Sequence, residues 1–183
     1  GSGIVGRTLA LLLAADRLRV GLVEAQDTAG AAPETRADVR AYAINAASRA
    51  LLQQVRAWPE AAATPVRGMQ VHGDAGGRVH FGDDPAQAPL AWIVDAGALL
   101  QALDQALHYQ PQVQRLSAPA AADLTVVCEG KASASRAEFG VEWDLQPYPQ
   151  HAIAARLRGV EKRDVYDRVD EVLELTETES ERD

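Results

Sequence analysis

Apolar positions along this chain fall into helix-like and strand-like blocks, separated by glycine, proline and charge. In "RTLALLLAADRL", Leu9, Leu12, Leu13 and Leu18 stand among alanines with no proline, which predicts a helix with one wide apolar face. "RVGLVEAQ" predicts a short buried strand that ends in Glu24. "DTAGAAPETRADVR" has the composition of a loop. "AYAINAASRALLQQVRAW" predicts a helix, with Ile44, Leu51, Leu52 and Val55 on its buried side and Pro59 stopping it. Arg40, next to Tyr42, would then stand at a loop-to-helix entry, where a guanidinium either holds an anion or is an ordinary surface charge.

Further along, "MQVHGDAGGRVHFG" alternates on both sides of a glycine-rich centre and predicts a β-hairpin turning near Gly76 and Gly77. His72 and His80 flank it, but no carboxylate or cysteine completes a metal-ligand set. "LAWIVDAGALLQALDQALHY" begins as a strand and becomes a helix with Leu99, Leu100, Leu103 and Leu107 on its apolar side. "ADLTVVCEGKASASRAEFG" predicts an apolar strand running into Glu129 and Gly130. That is a place where backbone and carboxylate reach a ligand at a sheet's carboxyl edge, or else a plain turn into a helix.

Composition narrows the picture. The 183 residues suffice for one domain with a real core, and 47% hydrophobic content with abundant alanine excludes disorder for most of the chain. A net charge of −8 argues against general nucleic-acid binding. Ten acidic residues against four basic ones lie between Val160 and Asp183, so the acidity is concentrated at the carboxyl end. With Cys128 as the single cysteine, no internal disulfide forms, and a reducing, cytoplasmic setting is expected. No stretch reaches the ~20 apolar residues of a membrane span, and no signal peptide precedes the first motif.

The chemistry starts at the amino end. In "GSGIVGRTLALLLA", Gly1, Gly3 and Gly6 have the G-x-G-x-x-G spacing that lets backbone amides and a helix dipole meet a pyrophosphate. Glu24, 18 positions after Gly6, stands about where a dinucleotide site grips a ribose hydroxyl. The strand that should lead into such a motif is missing before Gly1. Another reading takes Gly1 and Ser2 as vector-derived, leaving "GIVG".

In order, "GSGIVGRTLALLLA", "DVRAYAINAASRALL", "MQVHGDAGGRVHF", "WIVDAGALLQAL" and "LTVVCEGKASASRAEFG" resemble the FAD-dependent aromatic hydroxylases of ubiquinone biosynthesis. These belong to the para-hydroxybenzoate-hydroxylase-like flavin monooxygenases. The resemblance covers residues 1 to about 157. It implies an α/β fold: a Rossmann-like FAD-binding domain with a parallel sheet and an added β-hairpin, incomplete at both ends. FAD would be bound through Gly1, Gly3 and Gly6, with its adenosine ribose on Glu24. Arg40 would lie near the flavin and the incoming nicotinamide. "EGKASASR" matches the family's D-G-x-x-S-x-x-R pattern, so Glu129, Gly130, Ser133 and Arg136 would serve the region shared by FAD and NAD(P)H.

In such enzymes NAD(P)H reduces the flavin and one oxygen atom passes to an electron-rich ring, here an aromatic or quinone-precursor substrate. Peripheral association with a membrane or a biosynthetic complex is a further implication. Glu129 departs from the family's aspartate, and the family's substrate sheet and second flavin fingerprint do not follow "QHAIAARL". No catalytic residue is therefore assigned.

From Gly159 onward alanine vanishes. Val165, Val169, Val172 and Leu173 predict an amphipathic helix through about Leu175, so residues 158–183 read as an acidic helix and tail after the 1–157 FAD-binding part. The competing functional reading is a non-catalytic Rossmann-like scaffold whose acidic helix mediates assembly.

Overall fold

The structure is a computed structural model that describes residues 1–24, 40–72, 76–82, 84, 86–131, 133 and 135–146. The chain divides into two compact units, Gly1–Trp143 and Asp144–Asp183. The expected boundary at 157/158, the acidic helix and most of the loop at 27–40 lie outside the described residues.

The first unit is a mixed α/β fold with one small parallel sheet and antiparallel pairs. Helix α1 (Ile4–Ala15) leads into strand β1 (Val20–Val23), which pairs in parallel with β7 (Val113–Leu116) in the register Val20↔Val113 to Val23↔Leu116. A second sheet has β6 (Ala91–Asp95) between β2 (Ala41–Ile44) and β3 (Ala63–Val66), both antiparallel to it. Strands β4 (Gly68–His72) and β5 (Arg78–Gly82) form the expected hairpin. Its turn places Gly76 at φ 81°, a conformation that suits glycine. Helix α3 (Ala96–His108) starts directly after β6, as the switch in periodicity at "WIVDAGALL" requires.

Leu99, Leu103 and Leu107 of α3 are buried with Val94 of β6 and Leu11 of α1. Leu22, Leu52, Val55 and Trp92 complete the same core. Trp92 meets Trp58 edge-on at 6.2 Å, and the Arg49 guanidinium lies 4.3 Å from the Trp92 ring centre. A polar handle anchors this pair, because Trp58 donates its indole N–H to Glu60 at 2.7 Å.

Several expectations are corrected by the structure. In α1 the fully buried positions are Gly6, Ala10, Leu11 and Ala14; of the expected leucines, Leu12 packs half-buried against the core, and Leu9 and Leu13 are half-buried. The helix stops at Ala15, leaving Leu18 exposed. Three of these four, Gly6, Ala10 and Ala14, are small and let the helix approach its neighbours closely, with Leu11 filling the core beside them. Next, "AYAI" is strand β2 rather than the start of a helix. The Asn45 side chain accepts from the Ser48 amide at 2.8 Å, so helix α2 begins at Ala46 and runs to Gln54. Arg56 at φ 58° ends that helix region before Pro59 is reached, and Leu51 faces outward. Arg40 consequently stands directly before a strand, β2, rather than before a helix.

The run "LTVVC" also departs from expectation. Residues Leu124–Cys128 form no strand, no backbone–backbone hydrogen bond engages them among the described residues, and Leu124, Val126 and Val127 are exposed. An apolar run becomes a strand only where a neighbour pairs with it, and none of the described strands does. No helix among the described residues is long and apolar enough to cross a membrane.

Candidate dinucleotide site

The three glycines play two different structural parts. A side chain on Gly6 would collide with the Gly1 carbonyl and come within 3.3 Å of the Cys128 Cβ. One on Gly1 would collide with the Cys128 carbonyl and meet the Glu129 Cα at 2.9 Å. These two glycines lock the loop against the segment at 128–129. Gly3 differs, since a Cβ built there meets nothing within 4 Å. Gly3 is also the N-cap of α1, with φ −72° and ψ −173°, and no side chain caps the helix. The amides of Ile4, Val5 and Gly6 take no hydrogen bond among the described residues, and the positive end of the helix dipole lies behind them.

Glu24 directly follows β1 and is tied to this loop by a ladder of side chains. Its Oε1 accepts from Arg115 Nη1 at 2.7 Å, while Arg115 Nη2 donates to Asp104 Oδ1. Asp104 Oδ1 also accepts from Arg7 Nη1 at 2.8 Å, and Arg7 Nε donates to the Ser2 carbonyl at 2.6 Å. The Arg115 hydrogen bond, aided by both arginine charges, holds the Asp104 carboxyl below its usual range, although its partial burial opposes this. Asp104 and Glu24 in turn raise the pKa of Arg115. The ladder leaves Glu24 Oε2 without a hydrogen bond among the described residues, so one acceptor oxygen remains for a ligand hydroxyl.

At 129–136 the chain folds on itself. Glu129 Oε1 accepts from Ser135 Oγ at 2.7 Å, and Oε2 accepts from Ser133 Oγ at 2.7 Å and from the Ser135 amide at 3.1 Å. These bonds, the Ser135 hydroxyl foremost and then the Ser133 hydroxyl, bring the Glu129 pKa down to about 2. Arg136 Nη2 donates to the Gly130 carbonyl at 2.8 Å, and its guanidinium lies 4.0 Å from the Trp143 ring centre. Gly130 has φ 74°, which a side chain adopts only with strain.

The structure thus sets Gly1 against the Cys128–Glu129 backbone and Gly6 against the Gly1 carbonyl and the Cys128 side chain, and it links the glycine loop to Glu24. Glu129, Gly130, Ser133 and Arg136 gather in one loop. Arg40 stands at the start of β2, on the antiparallel sheet, where its carbonyl accepts from the Ala96 amide at 2.9 Å. Sequence reasoning misses Arg7, Asp104 and Arg115, which no local pattern marks, and Ser135, which lies in view inside "EGKASASR".

Comparison with protein-family models and with curated proteins finds no match to this chain.

Proposed function

We propose that the chain forms the nucleotide-holding part of an NAD(P)H-dependent flavin monooxygenase that hydroxylates an electron-rich ring of a quinone precursor. The observation that carries this reading is the contrast among the glycines. Two are pinned by backbone contacts, while the third opens an uncapped helix terminus to space that any side chain would enter.

That opening suits the pyrophosphate of FAD, which would accept from the amides of the first turn of α1. Glu24 Oε2 would accept from a ribose hydroxyl. Arg40, Glu129, Gly130, Ser133 and Arg136 would line the region toward the isoalloxazine and NAD(P)H. When bound, FAD supplies the redox chemistry, and the protein's part is to orient it and exclude water.

The test is Gly3→Val. Because the fold leaves room at Gly3 and its φ suits any residue, the variant should keep the circular dichroism of the parent. Its side chain would occupy the phosphate position and raise the Kd for FAD by about 100-fold or more, the loss of two charge-assisted hydrogen bonds. Flavin absorbance after loading and desalting reads the difference. Equal retention by parent and variant, or no retention by the parent, would sink the assignment.

A further inference from the structure

We propose that Asp104 is a positioning residue: by drawing one arm of Arg115 to itself, it keeps the second oxygen of Glu24 open to a ribose hydroxyl. This role rests on the nucleotide reading above and adds to it a residue that itself touches no ligand.

The placement begins in the parallel pair of β1 and β7. Leu22 and Arg115 are register partners, so their side chains stand on one face of the pair, and Glu24, two positions after Leu22, shares that face. The Glu24 amide donates to the Leu116 carbonyl at 3.0 Å, which carries the strand pairing on to this position. Arg115 Nη1 thus reaches Glu24 Oε1 at 2.7 Å. Its other arm, Nη2, donates to Asp104 Oδ1 on α3.

Guanidinium geometry makes those two arms competitors. A planar fork matches a carboxylate through two parallel N–H bonds, a pairing favoured wherever nothing else draws one arm away. Here it is not made, because Glu24 accepts from Arg115 through Oε1 alone and Nη2 goes to Asp104. Asp104 is itself fixed. The same Oδ1 accepts from Arg7 Nη1 at 2.8 Å, and Arg7 is anchored through Nε on the Ser2 carbonyl at 2.6 Å. Arg7 belongs to α1 and Asp104 to α3, so two packed helices hold the group that competes with Glu24 for Arg115. Orienting Glu24 would need Arg115 alone; the second carboxylate is what keeps Oε2 open. Without Asp104, Nη2 is released beside Glu24 and the fork closes over both of its oxygens. Ribose recognition is then lost, although Glu24 and every backbone group of the site remain.

The experiment titrates the whole chain with ADP, the portion shared by FAD and NADH, and with its dideoxyribose analogue, by calorimetry. The parent should bind ADP about tenfold more tightly or better, the worth of one hydrogen bond to a charged acceptor. In Asp104→Ala the two affinities should become equal, and a nucleotide-free crystal structure of that variant should show Arg115 on both Glu24 oxygens. Adding Arg115→Met removes the fork, and the double variant should regain the preference for ADP, which a merely structural role of Asp104 would not produce. Asp104 is half-exposed, and alanine suits the interior of a helix better than aspartate, so the variant should fold. Should it not, Asp104→Leu fills the space without an acceptor and carries the same arms. A Glu24 oxygen left open in the variant structure overturns the proposal. So does an undiminished preference for ADP in the single variant, or no recovery of it in the double one. A parent that binds both probes equally, or neither, sinks the nucleotide reading and this role with it, so the parent alone tells the two failures apart.

Discussion

Val20–Val23 and Leu124–Val127 are alike in sequence and opposite in structure. Each is a short apolar run followed closely by a glutamate. The first pairs with β7, packs under α1 and buries Leu22. The second forms no strand and exposes three of its apolar side chains. Local pattern thus expresses a preference for sheet, while a neighbour at hydrogen-bonding distance decides whether the preference is met.

The same contrast extends to the two acids. Glu24 is held by Arg115, 91 positions away, as part of a ladder across several elements. Glu129 is held by Ser133 and Ser135, four and six positions on. One end is ordered by tertiary structure and the other by its own loop.

The strongest way to break the comparison is at the contact between the glycine loop and the segment at 128–129. Gly6→Val drives a side chain into the Gly1 carbonyl and the Cys128 side chain, with backbone on one side that cannot step away. Destabilisation above about 3 kcal/mol is expected, from overpacking against main chain. Urea denaturation followed by circular dichroism measures it, and an unchanged midpoint would mean that the loop does not rest on 128–129.

A paired test sharpens the comparison itself. Leu22→Ala removes a side chain that is 6% exposed and should cost about 2–3 kcal/mol, whereas Val126→Ala, at 48% exposed, should cost under about 0.5 kcal/mol. Similar costs at the two sites would show that Leu124–Val127 is packed as firmly as β1.

Legibility follows the range of the interactions. The hairpin and the β6-to-α3 switch are readable because turn glycines and periodicity are local signals. Start and stop residues are less so: Asn45 sets the start of α2 through its side chain, and "AYAI" is hidden in a run that also suits a helix. The buried stripe of α1 escapes a reading by pattern because leucines attract attention, while Gly6, Ala10 and Ala14 allow the close contact. At the candidate site, glycine spacing and Glu24 are visible. The Arg7–Asp104–Arg115 ladder is not, since its members are brought together only by folding.

The smallest expected effect tests the loop-held acid alone. Three hydrogen bonds favour the ionised form of Glu129, so its folded pKa, about 2, lies below the ordinary 4.5. A group depressed in this way adds stability that is complete above the unfolded value and disappears as pH falls from about 4.5 toward 2. Because the carboxylate is open to solvent, the expected signature is a local one. The Glu129 carboxyl resonance should titrate near 2 in the parent and move toward 4.5 in Ser135→Ala, which loses the largest contributor. Ser133→Ala should move it less. The amides of β1 should not respond in either variant, because Glu24 is held by a separate ladder. A parent titration near 4.5 would show that the serines do not organise this loop, and a response at β1 would show that the two regions are coupled through Gly1 and Cys128 after all.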